Sequence, residues 1–282
     1  MKKITYTVST AAKPIGEHTM YEPMPDRNWE QFDPFLLLHH HGPHKFEPYN
    51  QGLPFGPHPH RGFETLTLIY KGEIEHADSQ GFKSVIGEGG IQWMTAGRGI
   101  VHSENITAPL RENGGEMEII QLWMNLPAAK KMTPAHYVGK QKDEIPVVQS
   151  SDGKIATQVV SGNHSGKQGA VTSITDLTIL NVSGKEGGVE TFQLHEGDTV
   201  VLYLLSGTLQ VGEKKLTPNS MAMLSKEESE LSIESLSDTR FLIASGTPYN
   251  EEIVAQGPFV MNSTTEIMEA MRDYQMGKMG VM

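Results

Sequence analysis

The chain has 282 residues, no cysteine and a formal net charge of -11. Disulfides, thiolate metal sites and a cysteine nucleophile are therefore excluded, and the negative balance opposes binding to a phosphate backbone. The length holds two ordinary domains or one large all-β domain.

No apolar run approaches the length of a membrane span. The opening Met1-Lys2-Lys3 is basic like a secretion signal, but residues 4–12 are too rich in Thr and Ser for its apolar core. The expected setting is thus the cytoplasm, with neither membrane nor nucleic acid as a direct partner.

In chain order, residues 4–10 alternate as a first strand, and the polar, proline-bearing stretch 14–33 reads as loop. Residues 35–38 form a short apolar strand that ends at His39-His40-His41-Gly42-Pro43. The histidine triplet, with His44, reads as a solvated turn; an auxiliary metal site is the rival reading.

The stretch 52–105 carries the chemistry. In extended backbone, residues two apart share a face, and Pro59 holds His58 extended, so His58 and His60 point the same way. His102 and Glu104 repeat that spacing behind Gly97-Arg98-Gly99. If the two segments are neighbours, three neutral imidazoles and one carboxylate converge. That donor set suits a divalent first-row metal and leaves coordination positions for substrate. Glu64 shares the parity of His58 and His60 and is expected to face the metal, as a hydrogen-bond acceptor for an imidazole N–H in preference to a ligand or a structural partner of Arg61. Asp78-Ser79-Gln80-Gly81 has hairpin-turn chemistry, and His76 before it reads as a surface residue. Residues 117–124 are apolar on both faces and read as a covered strand.

Between residues 127 and 152 the composition turns polar, as in a linker. The second half then echoes the first: Leu204-Leu205-Ser206-Gly207-Thr208-Leu209-Gln210 follows Ile69-Tyr70-Lys71-Gly72-Glu73-Ile74-Glu75. Short strands at even spacing, twice over, give an all-β fold of two tandem β-barrels with a short C-terminal helix. Residues 1–140 form the metal-binding barrel; residues 141–282 form a second barrel with the helix. Superposing the halves sets Gln193, His195, Ser232 and Glu234 at the ligand positions, a poor cage, so the second barrel is expected to be metal-free. Ser263 and Glu266 spell a capping box, with Ile267, Ala270, Met271 and Tyr274 on one face of the terminal helix and Gly277 as its stop.

The motifs H-P-H-R-G-F-E-T, I-G-E-G-G-I-Q-W-M-T-A-G-R-G-I-V-H-S-E and G-P-F-V-M-N together resemble the pirin family of the cupin superfamily. The resemblance implies a bicupin whose N-terminal barrel holds iron, or zinc, nickel, cobalt or manganese, through His58, His60, His102 and Glu104. It further implies a quercetin 2,3-dioxygenase-like enzyme that opens a flavonol with dioxygen; a carboxylate beside the metal suits a general base, so Glu104 is expected to take a substrate proton as well as to bind metal. The rival implication is a metal- or redox-state-dependent interaction module with a protein partner and no physiological turnover; a cupin isomerase is a third. One departure stands out: pirins commonly carry an acidic pair where this chain has His39-His40-His41, which bears on the charge and substrate preference of the site mouth.

Overall fold

A computed structural model of the chain describes residues 1–24 and 32–282. Two compact units emerge: one from residues 12–24, Phe35–Lys142 and Tyr249–Met282, the other mainly from Met1–Ala11 and Asp143–Pro248. This differs from a division at residue 140 at both ends of the chain. The first strand, Ile4–Ser9, pairs with Ser220–Leu224, and its Ile4 joins the apolar core of the second unit. The terminal helix, Thr264–Gln275, belongs to the first unit, where Ile267 and Ala270 are buried with Val101, Phe259, Met261 and Met279.

Among the described residues each unit carries a seven-stranded and a four-stranded sheet, with every pairing antiparallel inside them. In the first unit the larger sheet runs His136–Lys140, Ile91–Thr95, Phe63–Lys71, Gly115–Asn125, Phe35–Phe46, His18–Met24, Lys13–Ile15. Its smaller sheet runs His58–His60, Ile100–Ile106, Ile74–Asp78, Lys83–Ile86. In the second unit the larger sheet runs Ile4–Ser9, Ser220–Leu224, Thr199–Ser206, Thr239–Gly246, Leu177–Gly184, Ile155–Ser161, Val147–Gln149. Val189–Gln193, Glu230–Ser235, Leu209–Val211 and Lys214–Leu216 form its smaller sheet. The two strand orders match position for position, as a duplication requires. The chain is all-β with two cupin-type domains and a short C-terminal helix, and no helix among the described residues is long and apolar enough to cross a membrane.

Several local expectations change. The stretch expected as loop contains the strands Lys13–Ile15 and His18–Met24, while residues 25–31 of it lie outside the described residues. The expected linker contributes an edge strand to each unit, His136–Lys140 to the first and Val147–Gln149 to the second. The strand Phe35–Phe46 does not stop at the histidines but runs through them, paired to Gly115–Asn125. A register shift between Met117 and Ile119 lies opposite Gly42-Pro43. A bulge of that kind is where a strand tolerates glycine and proline. His40 and His41 are buried rather than solvated.

Candidate metal centre and cavity

The segments His58–His60 and Ile100–Ile106 are adjacent antiparallel strands, with His58 directly opposite His102 and His60 opposite Ile100. Cross-strand partners on one face lie close enough for their side chains to touch. The ring centroids of His58, His60 and His102 are 4.5 to 4.9 Å apart. One ring nitrogen from each lies within 4.8 Å of the others. The strand Ile100–Ile106 is held from its outer face, where Val101 packs against Ile267 and Met279 and its N–H donates to the Met279 carbonyl.

The other nitrogens orient the rings. His58 Nδ1 donates to the Gly56 carbonyl at 2.8 Å and His60 Nδ1 to the Pro258 carbonyl at 3.3 Å, leaving both Nε2 atoms as lone-pair donors. His58 Nε2 and His102 Nε2 stand 3.1 Å apart, and His102 Nδ1 is buried without a partner. Burial drives the imidazole of His60 down to about 3, and burial with the neighbouring His60, His58 and His76 drives His102 well below its ordinary 6.5. Both are therefore neutral at neutral pH. Three converging imidazole nitrogens fit a divalent cation, which takes each ring in the tautomer that turns a lone pair toward it.

Glu104 lines the same cavity but stands outside the cluster of three nitrogens. Thr67 Oγ1 donates to its Oε1 at 2.9 Å and Gln121 Nε2 to its Oε2 at 2.7 Å, while Trp123 Nε1 donates to Gln121 Oε1 at 2.9 Å. The carboxylate is held by both oxygens, each with a lone pair to spare.

Glu64 and Arg61 require correction. The strand Phe63–Lys71 starts after Gly62, whose φ of +94° breaks the parity carried from His60. Thr67 reaches Glu104, so Glu64, three residues earlier, lies on the opposite face and accepts instead from Trp93 Nε1 and Thr95 Oγ1. Arg61 donates to the Arg98 carbonyl and, through both terminal nitrogens, to Asp273 of the terminal helix. Neither touches an imidazole of the trio. His76 is corrected the other way: it is buried, bonded to Asp78 at 3.2 Å, stacked on Tyr137 at 4.0 Å and 5.4 Å from the His102 ring. Parity could have found it, since His76 stands directly opposite Glu104.

Two of the trio, His58 and His60, line a cavity of about 240 Å³. Leu37, Leu53, Phe55, Ile119 and Trp123 give it apolar walls; His39, His41, Glu104 and Gln121 add polar groups. Such a mixture suits a largely apolar ligand fixed by a few hydrogen bonds.

The second unit fills the same positions with hydrocarbon. Ile74 pairs with Ile106 and Glu104 with His76; in the second unit Leu209 pairs with Ser235 and Ile233 with Val211. His58 pairs with His102 as Phe192 pairs with Leu231. Hence Phe192, Leu194, Leu231 and Ile233 stand where His58, His60, His102 and Glu104 stand, all four in one buried apolar cluster. The expected superposition on Gln193, His195, Ser232 and Glu234 was one residue out, which turns every side chain to the other face.

A chain with two cupin-type domains is a bicupin. The Pirin family model matches residues 17–124 and the Pirin C-terminal cupin domain model matches residues 179–280. A pirin-like protein from Caulobacter vibrioides is 36% identical over 251 residues, 88% of each chain. Pirin from Homo sapiens is 33% identical over 260 residues, 89% of this chain and 84% of its own. The crystal structure of quercetin 2,3-dioxygenase from Acinetobacter baumannii covers 100% of both chains at 36% identity and a TM-score of 0.95. The chain belongs to the pirin family.

Proposed function

We propose that this protein is a metal-dependent dioxygenase that cleaves flavonols such as quercetin. The observation that carries the reading is the convergence of three imidazole nitrogens beside a mainly apolar cavity that His58, His60 and Glu104 line. The similar Acinetobacter baumannii structure, titled a quercetin 2,3-dioxygenase, supports the same chemistry.

His58, His60 and His102 would hold the metal, with Glu104 as a fourth ligand. Iron is the best match to a redox reaction, although the same donors accept zinc, nickel, cobalt or manganese. When bound, the metal supplies charge stabilisation for a deprotonated substrate and a route for electrons to dioxygen. The chain does the rest. Leu37, Phe55 and Trp123 flank the space for the planar ring system and exclude water from it. Glu104, fixed by Thr67 and Gln121, takes the 3-hydroxyl proton as the substrate seats, acting as general base.

Metal-loaded protein given quercetin should consume dioxygen as flavonol absorbance falls. His58→Ala should lose bound metal and both signals together. Wild-type turnover in that variant would refute the assignment.

A further inference from the structure

The proposed chemistry leaves two cavity-lining histidines unused. His39 and His41 project into the cavity from the strand Phe35–Phe46, on the larger sheet, whereas the metal-binding trio comes from the smaller one. Each has one nitrogen already engaged. His39 Nε2 donates to Glu22 Oε1 at 3.0 Å, and Glu22 also accepts from Lys13 Nζ at 2.8 Å. That bond fixes the tautomer: in the neutral ring, His39 Nδ1 is a bare acceptor.

His41 Nδ1 lies 3.0 Å from His18 Nε2, and His18 Nδ1 is buried without a partner. A buried lone pair costs less to leave unmet than a buried N–H. His18 Nδ1 is therefore the lone pair, and His18 Nε2–H donates to His41 Nδ1. His41 Nε2 then carries the proton and is a free donor. Burial keeps both cavity rings neutral, His41 at about 3 and His39 below 6.5. The two ring centroids are 5.8 Å apart. One acceptor and one donor on neighbouring cavity-lining rings suit a single hydroxyl group, which would give a hydrogen to His39 Nδ1 and receive one from His41 Nε2.

We propose that His39 and His41 form a hydroxyl clamp, which selects flavonol-type substrates bearing a free phenolic hydroxyl remote from their metal-chelating oxygens. The inference rests on the dioxygenase reading and adds its specificity determinant.

The second unit supplies well-matched substitutions. Through the pairings of Gln121 with His39 and of Ile119 with His41, the corresponding residues are Leu180, opposite Ile243, and Val182, opposite Phe241. Both lie in a packed apolar core, so His39→Leu and His41→Val suit this sheet. Metal-loaded protein without dioxygen is titrated, by quenching of its tryptophan fluorescence, with three flavonols: one with hydroxyls on the outer ring, its O-methyl ether, and one with an unsubstituted outer ring. Wild-type protein should bind the first about five- to ten-fold more tightly than the others, the worth of one or two net hydrogen bonds. His39→Leu and His41→Val should reduce that preference to about two-fold or less at unchanged metal content. Should either variant fail to fold, Glu22→Ala, which frees the His39 ring, must erode the same preference.

Equal wild-type affinity for all three ligands, or a preference that survives these substitutions, overturns the clamp alone. Failure of wild-type protein to bind any of them overturns the dioxygenase reading and the clamp with it.

Discussion

Glu104 shows how much a single side chain depends on its neighbours. Its two oxygens take hydrogens from Thr67 and Gln121, and Gln121 is itself held by Trp123. Gln121→Leu therefore removes one anchor of the carboxylate and leaves the Trp123 N–H without its acceptor. Such outer partners are worth about ten- to hundred-fold in activity or metal affinity. Turnover in Gln121→Leu should fall within that range while the three histidines retain metal; elemental analysis beside the oxygen assay separates the two. Glu64 makes a different prediction. Burial raises its carboxyl above 4.5, and the hydrogen bonds from Thr95 and Trp93 only partly oppose this. A raised folded value means that the fold favours the neutral acid. The penalty for ionising it is absent below about 4.5 and grows as pH rises toward the folded value. Glu64→Gln keeps an acceptor for Trp93 and Thr95 and abolishes the titration. Melting curves of the two proteins should lie together near pH 4 and separate by pH 8, with the Gln variant more stable. A Gln variant that melts lower throughout would show that the carboxylate is ionised and satisfied.

Strand pairing decides which of these side chains meet, and Gly62 shows why the sequence disclosed only part of it. Its φ is +94°, and a Cβ there would lie 2.0 Å from the Val260 carbonyl oxygen. Both close approach and left-handed backbone demand glycine. The same turn carries Lys131 Nζ, which donates to the carbonyls of Gly62 and Val260, and the ion pair of Arg61 with Asp273. The terminal segment is thus tied to the turn that follows His60, whose Nδ1 bonds the Pro258 carbonyl. Gly62→Ala should cost more than about 2 kcal/mol, as backbone-incompatible substitutions do, and lower metal occupancy with it; a thermal melt with metal analysis checks both. The H-x-H and H-x-E pairs were legible because strand alternation is local and each pair lies within one unbroken strand. Glu64 was misplaced because alternation does not survive a left-handed residue, and nothing in the sequence marks Gly62 as one. His39 and His41 were read as a solvated turn, with a bearing on the site mouth only through the family resemblance, because Gly42-Pro43 looks like a turn, whereas the larger sheet absorbs it as a bulge. The one-residue slip at Phe192 and Ile233 has the same origin: register is set by pairing, which local pattern does not reveal.

At the scale of the whole molecule, one topology has been built twice with opposite interiors. Around the trio the first unit places Thr67, Gln121 and Glu104, joined by hydrogen bonds. Through the same pairings, Leu202, Ile243 and Ile233 take those positions in the second unit, buried with Phe192, Leu194 and Leu231. An apolar interior is stable by packing alone, with every CH₂ buried contributing about 0.8 kcal/mol. The first interior must hold converging imidazoles and a carboxylate, and on the proposed function a bound cation would satisfy the imidazoles together. Metal bound there would therefore stabilise the unit that contains the ligands and not the other. Native-state hydrogen exchange resolves this by segment. Chelation should accelerate amide exchange in His58–His60 and Ile100–Ile106 and leave the matching strands Val189–Gln193 and Glu230–Ser235 unchanged. Equal acceleration in both pairs would mean that stability is shared across the chain, and the division of labour between the two interiors would have to be abandoned. Ile233→Glu tests that division from the other side. It buries a carboxylate at the position of Glu104 but with Leu202 and Ile243 in place of its hydrogen-bond donors, and should destabilise the second unit by several kcal/mol, seen as faster exchange in Glu230–Ser235 while the trio's strands keep their protection.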